Sequence, residues 1–406
     1  MNIASDRILK MKASQTLRMT QRAAELKSSG VDVVSLSVGE PDFFTPRHIK
    51  EAAQKAIAEN YSFYAPVAGY LSLREAIANK LEKENDLQYS SSQIIVSTGG
   101  KQAICNAILS IINSGDEVII PAPAWVSYTE MVGLAEGVSV IIKTSKQSGY
   151  KVLPQQLEQA ITPKTRMFIL CSPSNPSGAV YSKSEMRELA KVIAKHPDMM
   201  VLSDEIYEHI NYVGKHVSMA EFAAIKSQVI IVNGVSKAYA MTGWRIGFLA
   251  AEQWVVEACK KLQGQYTTCA STIAMKAAEA AYTGSQDCVK EMLEQFRRRR
   301  DLVTEMAQEI RGFEVEKPDG AFYLFPKIDS LFGAEYIDKN GEKQIIGDSE
   351  ALAEYILEEA HVASVAGSAF LMPECIRFSY ATSEENLKKA FSRIKIAVEK
   401  LRYGNY

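Results

Sequence analysis

The chain has 406 residues, 47% of them hydrophobic and 23% charged, with a formal net charge of −2. That length can hold a large domain and a smaller one, and the composition is ordinary for a globular protein. A balanced charge gives no general attraction to nucleic acid, and no apolar run approaches the roughly 18 residues of a membrane span. Six cysteines (Cys105, Cys171, Cys259, Cys269, Cys288 and Cys375) are scattered, without a C-x-x-C or a histidine at zinc spacing, so no metal site is expected. Most lie in apolar stretches, which suits buried free thiols in a reducing compartment. The N-terminus carries Arg7, Lys10, Lys12 and Arg18 but no apolar signal core. A cytoplasmic protein is expected, with a basic, serine-containing transit peptide as the alternative.

From the N-terminus onward, Ile49, Ala52, Ala53, Ala56 and Ile57 mark one face of an amphipathic helix. Short β-rich runs then recur at Gln93–Ser97, Glu117–Pro121, Arg166–Cys171, Met199–Ser203, Val229–Asn233 and Ile246–Ala250. Helical patterns such as Lys183–Lys195 separate several of them. Apolar runs of strand length alternating with helices predict a parallel sheet covered on both faces, a three-layer α/β/α arrangement. Near residue 285 the pattern changes. Val289, Met292, Phe296, Val303, Met306 and Ile310 keep helical spacing, as in a helix leaving one domain for another. The run Arg297–Arg300 within it points in four directions on a helix, so it reads as mostly solvated with one member paired internally. The charged stretch Tyr336–Ile346 reads as a surface loop. A helix marked by Leu387, Phe391, Ile394, Val398 and Leu401 ends the chain. We expect a large α/β domain over 46–290 and a smaller α+β domain from 1–45 and 291–406.

Five segments carry candidate chemistry. STGGKQAI, Ser97 to Ile104, runs from a strand through Gly-Gly into a helix. Such a turn lets a phosphate approach the backbone, and the helix N-terminus offers free N–H groups; a plain turn is the ordinary alternative. It is not a P-loop, because Ile95 and Gln102 stand at two of the required positions. SPSNPSGAV, Ser172 to Val180, is a loop at a strand end where Asn175 can offer an amide. SDEIYEH, Ser203 to His209, follows an apolar strand, and C-terminal strand ends open onto the ligand crevice of a parallel sheet. Asp204 there is either a helix cap or, with Tyr207, an acid and a donor for a pyridine-ring cofactor. In SQVIIVNGVSKAYAMTGW, Ser227 to Trp244, the single charged side chain is Lys237. Most lysines are solvated, but one isolated in such a stretch suits a desolvated, Schiff-base-forming amine. GVSKA departs from the serine-hydrolase elbow at Ala238. Arg377, in the apolar strand ECIRFSY, needs a carboxylate partner from the protein or from a ligand.

Together these segments resemble the pyridoxal-phosphate aminotransferases of fold type I, class I/II, over essentially the whole chain. The most specific block is SKAYAMTGWRIG, Ser236 to Gly247; LSVGEPDF at 36–43, YAPVAGYLSLREAI at 64–77, SNPSG at 174–178 and SDEIYEH match in order. The resemblance implies pyridoxal 5′-phosphate held by Lys237 as a Schiff base, with Asp204 on the ring nitrogen and Tyr207 and Asn175 on the ring oxygen. It implies Trp125 stacked on the ring, and Gly99, Gly100, Lys101, Ser236 and Arg245 around the phosphate. Tyr64 would reach in from the partner of a homodimer. Arg377, helped by the Gly39 N–H, would clamp the substrate α-carboxylate. The implied sheet is mostly parallel with one antiparallel strand.

Within that family the chain resembles the bacterial aspartate (aspartate/prephenate) subgroup, through Lys12, Ser14 and Thr16 of MK-x-S-x-T and Lys101 of GGKQA. The resemblance associates Lys101 with the distal carboxylate of acidic substrates. Tyr266 departs from the serine usual in that subgroup, near the expected substrate entrance. The expected reaction moves an amino group from an L-amino acid, aspartate first, to a 2-oxo acid such as 2-oxoglutarate. Aromatic or prephenate amino transfer, a lyase on the same fold, and a cofactor-binding regulatory module are the alternatives. Neither nucleic acid nor membrane is expected as a partner.

Overall fold

The runs rich in Val, Ile, Leu and Met become a seven-stranded sheet in the computed structural model, which describes residues 4–11 and 15–402. Its strands are β1 (Ile94–Thr98), β2 (Glu117–Ala122), β3 (Val138–Lys143), β4 (Thr165–Cys171), β5 (Met200–Asp204), β6 (Val229–Gly234) and β7 (Ile246–Ala250). They lie in the order β1-β7-β6-β5-β4-β2-β3, and β7 alone runs antiparallel to its neighbours. The central strands are apolar without alternation because helices cover both faces: Phe168, Val201, Leu202, Ile230 and Ile231 are all buried. One of the expected six runs was followed by a strand that periodicity did not reveal. That strand is β3, an edge whose Val138 faces water while Ile142 is buried.

The helices that matter here are α1 (Arg47–Ala58), α2 (Gly100–Ile111), α3 (Lys183–Ile193), α4 (Asp287–Gln308) and α5 (Glu384–Glu399). Ser182 starts α3 by accepting the Glu185 N–H, while Glu185 returns a bond to the Ser182 N–H at 2.7 Å. Such a reciprocal cap contributes about 1 kcal/mol. The C-terminal part adds a three-stranded antiparallel sheet of β8 (Tyr323–Leu324), β11 (Val365–Ala366) and β12 (Ile376–Ser379), in the order β11-β12-β8.

Buried apolar side chains gather into cores that change partner along α4. Val289 packs with the core on one face of the large sheet, whereas Met292, Phe296, Val303 and Ala307 pack with residues from 19–36 and 313–401. On this distribution we propose the division into domains near residue 290. Two expectations in this part need correction. The stretch Tyr336–Ile346, expected as a surface loop, does lie at the surface but is a hairpin: β9 (Glu335–Ile337) pairs with β10 (Lys343–Ile345). Asp338 closes it by accepting the Asn340 and Glu342 N–H groups at 2.9 Å each. The arginine run is also more buried than expected. Arg299 makes a two-pronged bond to Asp42 at 2.6 and 3.0 Å, and buried Arg300 pairs with Asp301 and lies over Tyr212. Half-buried Arg297 also donates to the Tyr212 carbonyl at 3.0 Å, so three members, not one, are internally held. All six cysteines are free, but only Cys259 and Cys375 are fully buried.

Candidate functional site

Every parallel strand ends at one edge of the sheet, and antiparallel β7 begins there. The segments after β1, β2, β4, β5 and β6, and Arg245 just before β7, therefore converge on one cleft. Its volume is about 360 Å³.

One corner suits a phosphate. Gly99 has φ +82°, and a Cβ there would lie 2.4 Å from Arg245 Nη2. A Cβ on Gly247 would lie 2.2 Å from the Gly100 nitrogen, so close approach of the backbone requires glycine at 247, while the positive φ favours it at 99. Gly100 and Lys101 open α2, and their N–H groups lie ahead of its first backbone bonds, which Gln102 and Ala103 make to the Gly99 carbonyl. Buried Ser236 and the Arg245 guanidinium line the same cleft, and Arg245 is held by a 2.8 Å bond from Nη1 to the Thr242 carbonyl. Backbone donors, a helix N-terminus and a guanidinium form an anion cradle.

At the centre, Lys237 Nζ donates to the Gly39 carbonyl at 2.5 Å, and no carboxylate forms an ion pair with it among the described residues. Burial pulls its ammonium down to about 8; Glu40 opposes the shift, while Arg377 and Arg245 add to it. Asp204, the last residue of β5, is buried and accepts the Tyr128 hydroxyl at 2.6 Å and the Ile206 N–H at 3.2 Å. Burial pushes its carboxyl up to about 6 against those two bonds. Tyr207 bonds through its hydroxyl to that of Tyr323 at 2.7 Å. Trp125 stands edge-on to Tyr128, with Lys101 Nζ 4.8 Å from its ring centroid.

At the far end, Arg377 on β12 is buried between the rings of Tyr323 and Phe370, at 4.5 and 4.7 Å. It donates from Nη1 to Asn175 Oδ1 at 2.9 Å and from Nη2 to the Ser37 carbonyl at 2.6 Å. Both acceptors are neutral, and Nε is buried without a partner. A buried guanidinium without a counter-ion calls for an anionic ligand.

The cleft thus gathers Gly39, Gly100, Lys101, Trp125, Asn175, Asp204, Tyr207, Ser236, Lys237, Arg245 and Arg377 from the segments singled out in the sequence. Gly99 adjoins it through Arg245. Two expected residues do not line the cleft of their own chain. Tyr64 is 89% exposed and Tyr266, at the end of helix Gln253–Tyr266, is 70% exposed. Lys12, Ser14 and the Thr16 side chain lie outside the described residues. Sequence reasoning missed Tyr128, Tyr323 and Ser37. Tyr128 had a signal, since it falls one helical turn from Trp125 in WVSY; Tyr323 and Ser37 had none.

Residues 31–394 match the family model described as aminotransferase class I and II. The chain belongs to the class I and II aminotransferases. It is 44% identical to an aspartate/prephenate aminotransferase of Nitrosomonas europaea, covering 96% of this chain and 98% of that one. Against the bifunctional aspartate aminotransferase and glutamate/aspartate-prephenate aminotransferase of Petunia hybrida the identity is 45%, over 97% of this chain and 82% of that one. Among solved structures, the aspartate aminotransferase from Rhizobium meliloti superposes with a TM-score of 0.94 at 42% identity, covering 99% of this chain and 100% of that one. In this aminotransferase the α/β architecture read from the sequence is therefore the family's, and the enzyme's activity is amino-group transfer.

Proposed function

We propose that the enzyme transfers the amino group of aspartate to 2-oxoglutarate, using pyridoxal 5′-phosphate bound in the cleft. The observation that carries this reading is a pair of cations without carboxylate partners in one cleft, half-buried Lys237 and buried Arg377. The donor set fits the cofactor: a cradle of Gly99, Gly100, Ser236 and Arg245 for its phosphate, Asp204 for its ring nitrogen, and Trp125 as an aromatic face. Bound there, pyridoxal phosphate supplies a carbonyl for an amine and a ring that withdraws electrons from the substrate Cα.

The chain's own residues do the rest. Lys237, with its ammonium pulled down to about 8, has a neutral fraction at neutral pH and can attack a carbonyl or move the proton at the substrate Cα. Asp204 would hold the ring nitrogen as a carboxylate, since an opposing positive charge favours its ionised form. Tyr207 would donate to the ring oxygen. Asn175 spends its Oδ1 on Arg377, which leaves its NH2 for the same ring oxygen. Arg377 takes the substrate α-carboxylate in a bidentate grip, with the Gly39 N–H beside it.

Lys101 supports an acidic substrate. It lies at the start of α2 within the cleft and pairs with no carboxylate among the described residues. The similarity to enzymes named for aspartate and prephenate favours prephenate as a second amino acceptor, because it too carries a second carboxylate. We further propose a cytoplasmic homodimer in which Tyr64 serves the partner's phosphate site. Phe44, Phe63 and Tyr64 are 91, 79 and 89% exposed, an apolar surface that a second copy would cover. Six free cysteines agree with a reducing compartment, and no helix among the described residues is long and apolar enough to cross a membrane.

The test is a half-reaction screen. Aspartate alone should bleach the cofactor's visible band, and 2-oxoglutarate or prephenate should restore it. Bleaching by an aromatic amino acid but not by aspartate would remove the acidic-substrate reading.

A further inference from the structure

Tyr323 lies where three functional groups meet, yet the reaction as derived above gives it no task. It begins β8 and pairs in register with Ser379 of β12, which places it diagonally beside Arg377 on the next strand. Its ring lies 4.5 Å from the Arg377 guanidinium, and its hydroxyl meets that of Tyr207 at 2.7 Å. A Cβ on Gly39 would fall 2.1 Å from that hydroxyl, so a glycine at 39 is what lets it occupy its place. The Gly39 carbonyl in turn accepts from Lys237.

The proton count gives the bond a direction. Burial pushes both phenols up, so both keep their protons at neutral pH. Two hydroxyls sharing one hydrogen bond leave one proton for a third acceptor. Arg377 favours proton loss from both phenols, but it lies directly over the Tyr323 ring and ranks higher among the influences on Tyr323 than among those on Tyr207, which makes Tyr323 the stronger donor. We propose that Tyr323 is a positioning residue: its hydroxyl donates to the Tyr207 oxygen and so aims the Tyr207 proton into the cleft, while its ring seats Arg377. The inference rests on the reading of Tyr207 and Arg377 given above. An accepted hydrogen bond strengthens the one donated onward. Tyr207 thus becomes a better donor to an oxygen in the cleft, and that bond stabilises the oxygen's anionic form.

Three variants of the cofactor-loaded enzyme test this without relying on turnover. Tyr323→Phe keeps the ring and loses the hydroxyl. The pH midpoint of the cofactor's visible band should rise by roughly 0.3–1 unit, because the anionic ring oxygen loses support. Its Kd for succinate, a non-reacting dicarboxylate, should stay within about twofold. Tyr323→Leu, or Tyr323→Met should the leucine variant misfold, also removes the ring, and its succinate Kd should rise about five- to thirtyfold. Tyr207→Phe is the reference and should shift the midpoint further than Tyr323→Phe does. An unmoved midpoint in Tyr323→Phe, with a shift in Tyr207→Phe, overturns the donor role and leaves the proposed function standing. No shift in Tyr207→Phe overturns the reading of Tyr207 itself, and this inference with it. An unchanged succinate Kd in the variant without the ring overturns the seating of Arg377.

Discussion

Two lysines on opposite sides of one short segment, Lys80 buried and Lys237 half-buried, show that withdrawal from water does not by itself determine a role. Lys80 lies behind the SDEIYEH segment, with only 2% of its side chain exposed. It donates to Glu208 and, at 2.8 Å, to Asn85 Oδ1, while Glu84 stands 3.5 Å away. Burial would push the Glu208 carboxyl up, but Lys80, His209 and His216 hold it down at about 2. Lys237, in the cleft before the same segment, has a carbonyl as its acceptor and no ion-pair partner among the described residues. One lysine is neutralised by its neighbours and is structural. The other is left uncompensated, and its proton is correspondingly loose. Partner chemistry, more than depth, separates a scaffold charge from a reactive one.

The sharpest way to break this contrast is to replace each lysine by methionine. Lys237→Met should lower turnover by about a million-fold or more, since the covalent and proton-moving group is gone. The visible band of the lysine-bound cofactor should vanish, while circular dichroism stays that of the folded chain. Multiple-turnover transamination by the variant would return Lys237 to the ordinary lysines. Asp204→Asn comes next. A neutral amide of the same shape cannot stabilise a ring cation, and the loss of one preorganised electrostatic group costs about a thousandfold in rate. A near-normal single-turnover rate would leave Asp204 as the turn-closing residue that its bond to the Ile206 N–H already makes it.

The stability arms have opposite signs. Lys80→Met strands the Glu208 carboxylate inside the protein and should cost about 3–5 kcal/mol of unfolding free energy in a denaturant titration. Lys237→Met should stabilise the cofactor-free protein at pH 7. The folded Lys237 ammonium, at about 8, lies below its ordinary 10.5, so the folded chain releases this proton before the unfolded chain does. The penalty is therefore complete below pH 8 and is relieved as the pH rises from 8 to 10.5. The advantage of the variant should be roughly 2–4 kcal/mol at pH 7 and should close over that window. A gap independent of pH would mean that Lys237 is not desolvated in the folded chain.

Legibility in the sequence followed the same division. Lys237 announced itself because its surroundings lack other charge, and the central strands did so because both their faces are buried. Asp204, Asn175 and the Gly-Gly turn were readable from their places after strands, where a parallel sheet opens. Lys80 and Glu208 gave no sign of each other, being far apart in sequence and brought together only by packing. Arg299 and Asp42 were hidden for the same reason, which is why the arginine run read as solvated. Edge strand β3 escaped because its half-exposed side chains keep no period. Tyr323 escaped because its work depends on a hydroxyl pair and a cation–ring contact between strands that sequence does not place side by side.

Lys101 provides the finest division, because it stands between the two cases. Like Lys237 it pairs with no carboxylate among the described residues, and burial, with Arg245 adding, lowers its ammonium. Unlike Lys237 it remains exposed toward the cleft and lies over the Trp125 ring. If its role is to receive the distal carboxylate of an acidic substrate, Lys101→Ser should lower kcat/KM for aspartate and leave an aromatic amino acid nearly unaffected. Solvent still reaches this side chain, so the pairing is worth less than one fully withdrawn from water. The expected discrimination is about tenfold, or ~1.4 kcal/mol. Salt sharpens the test: raising ionic strength should shrink the aspartate-specific loss, because a screened partner contributes less in the parent enzyme. Equal losses for both substrates at every ionic strength would place Lys101 with Lys80, as a residue serving the α2 turn and the phosphate corner, and would leave the distal carboxylate to be bound elsewhere.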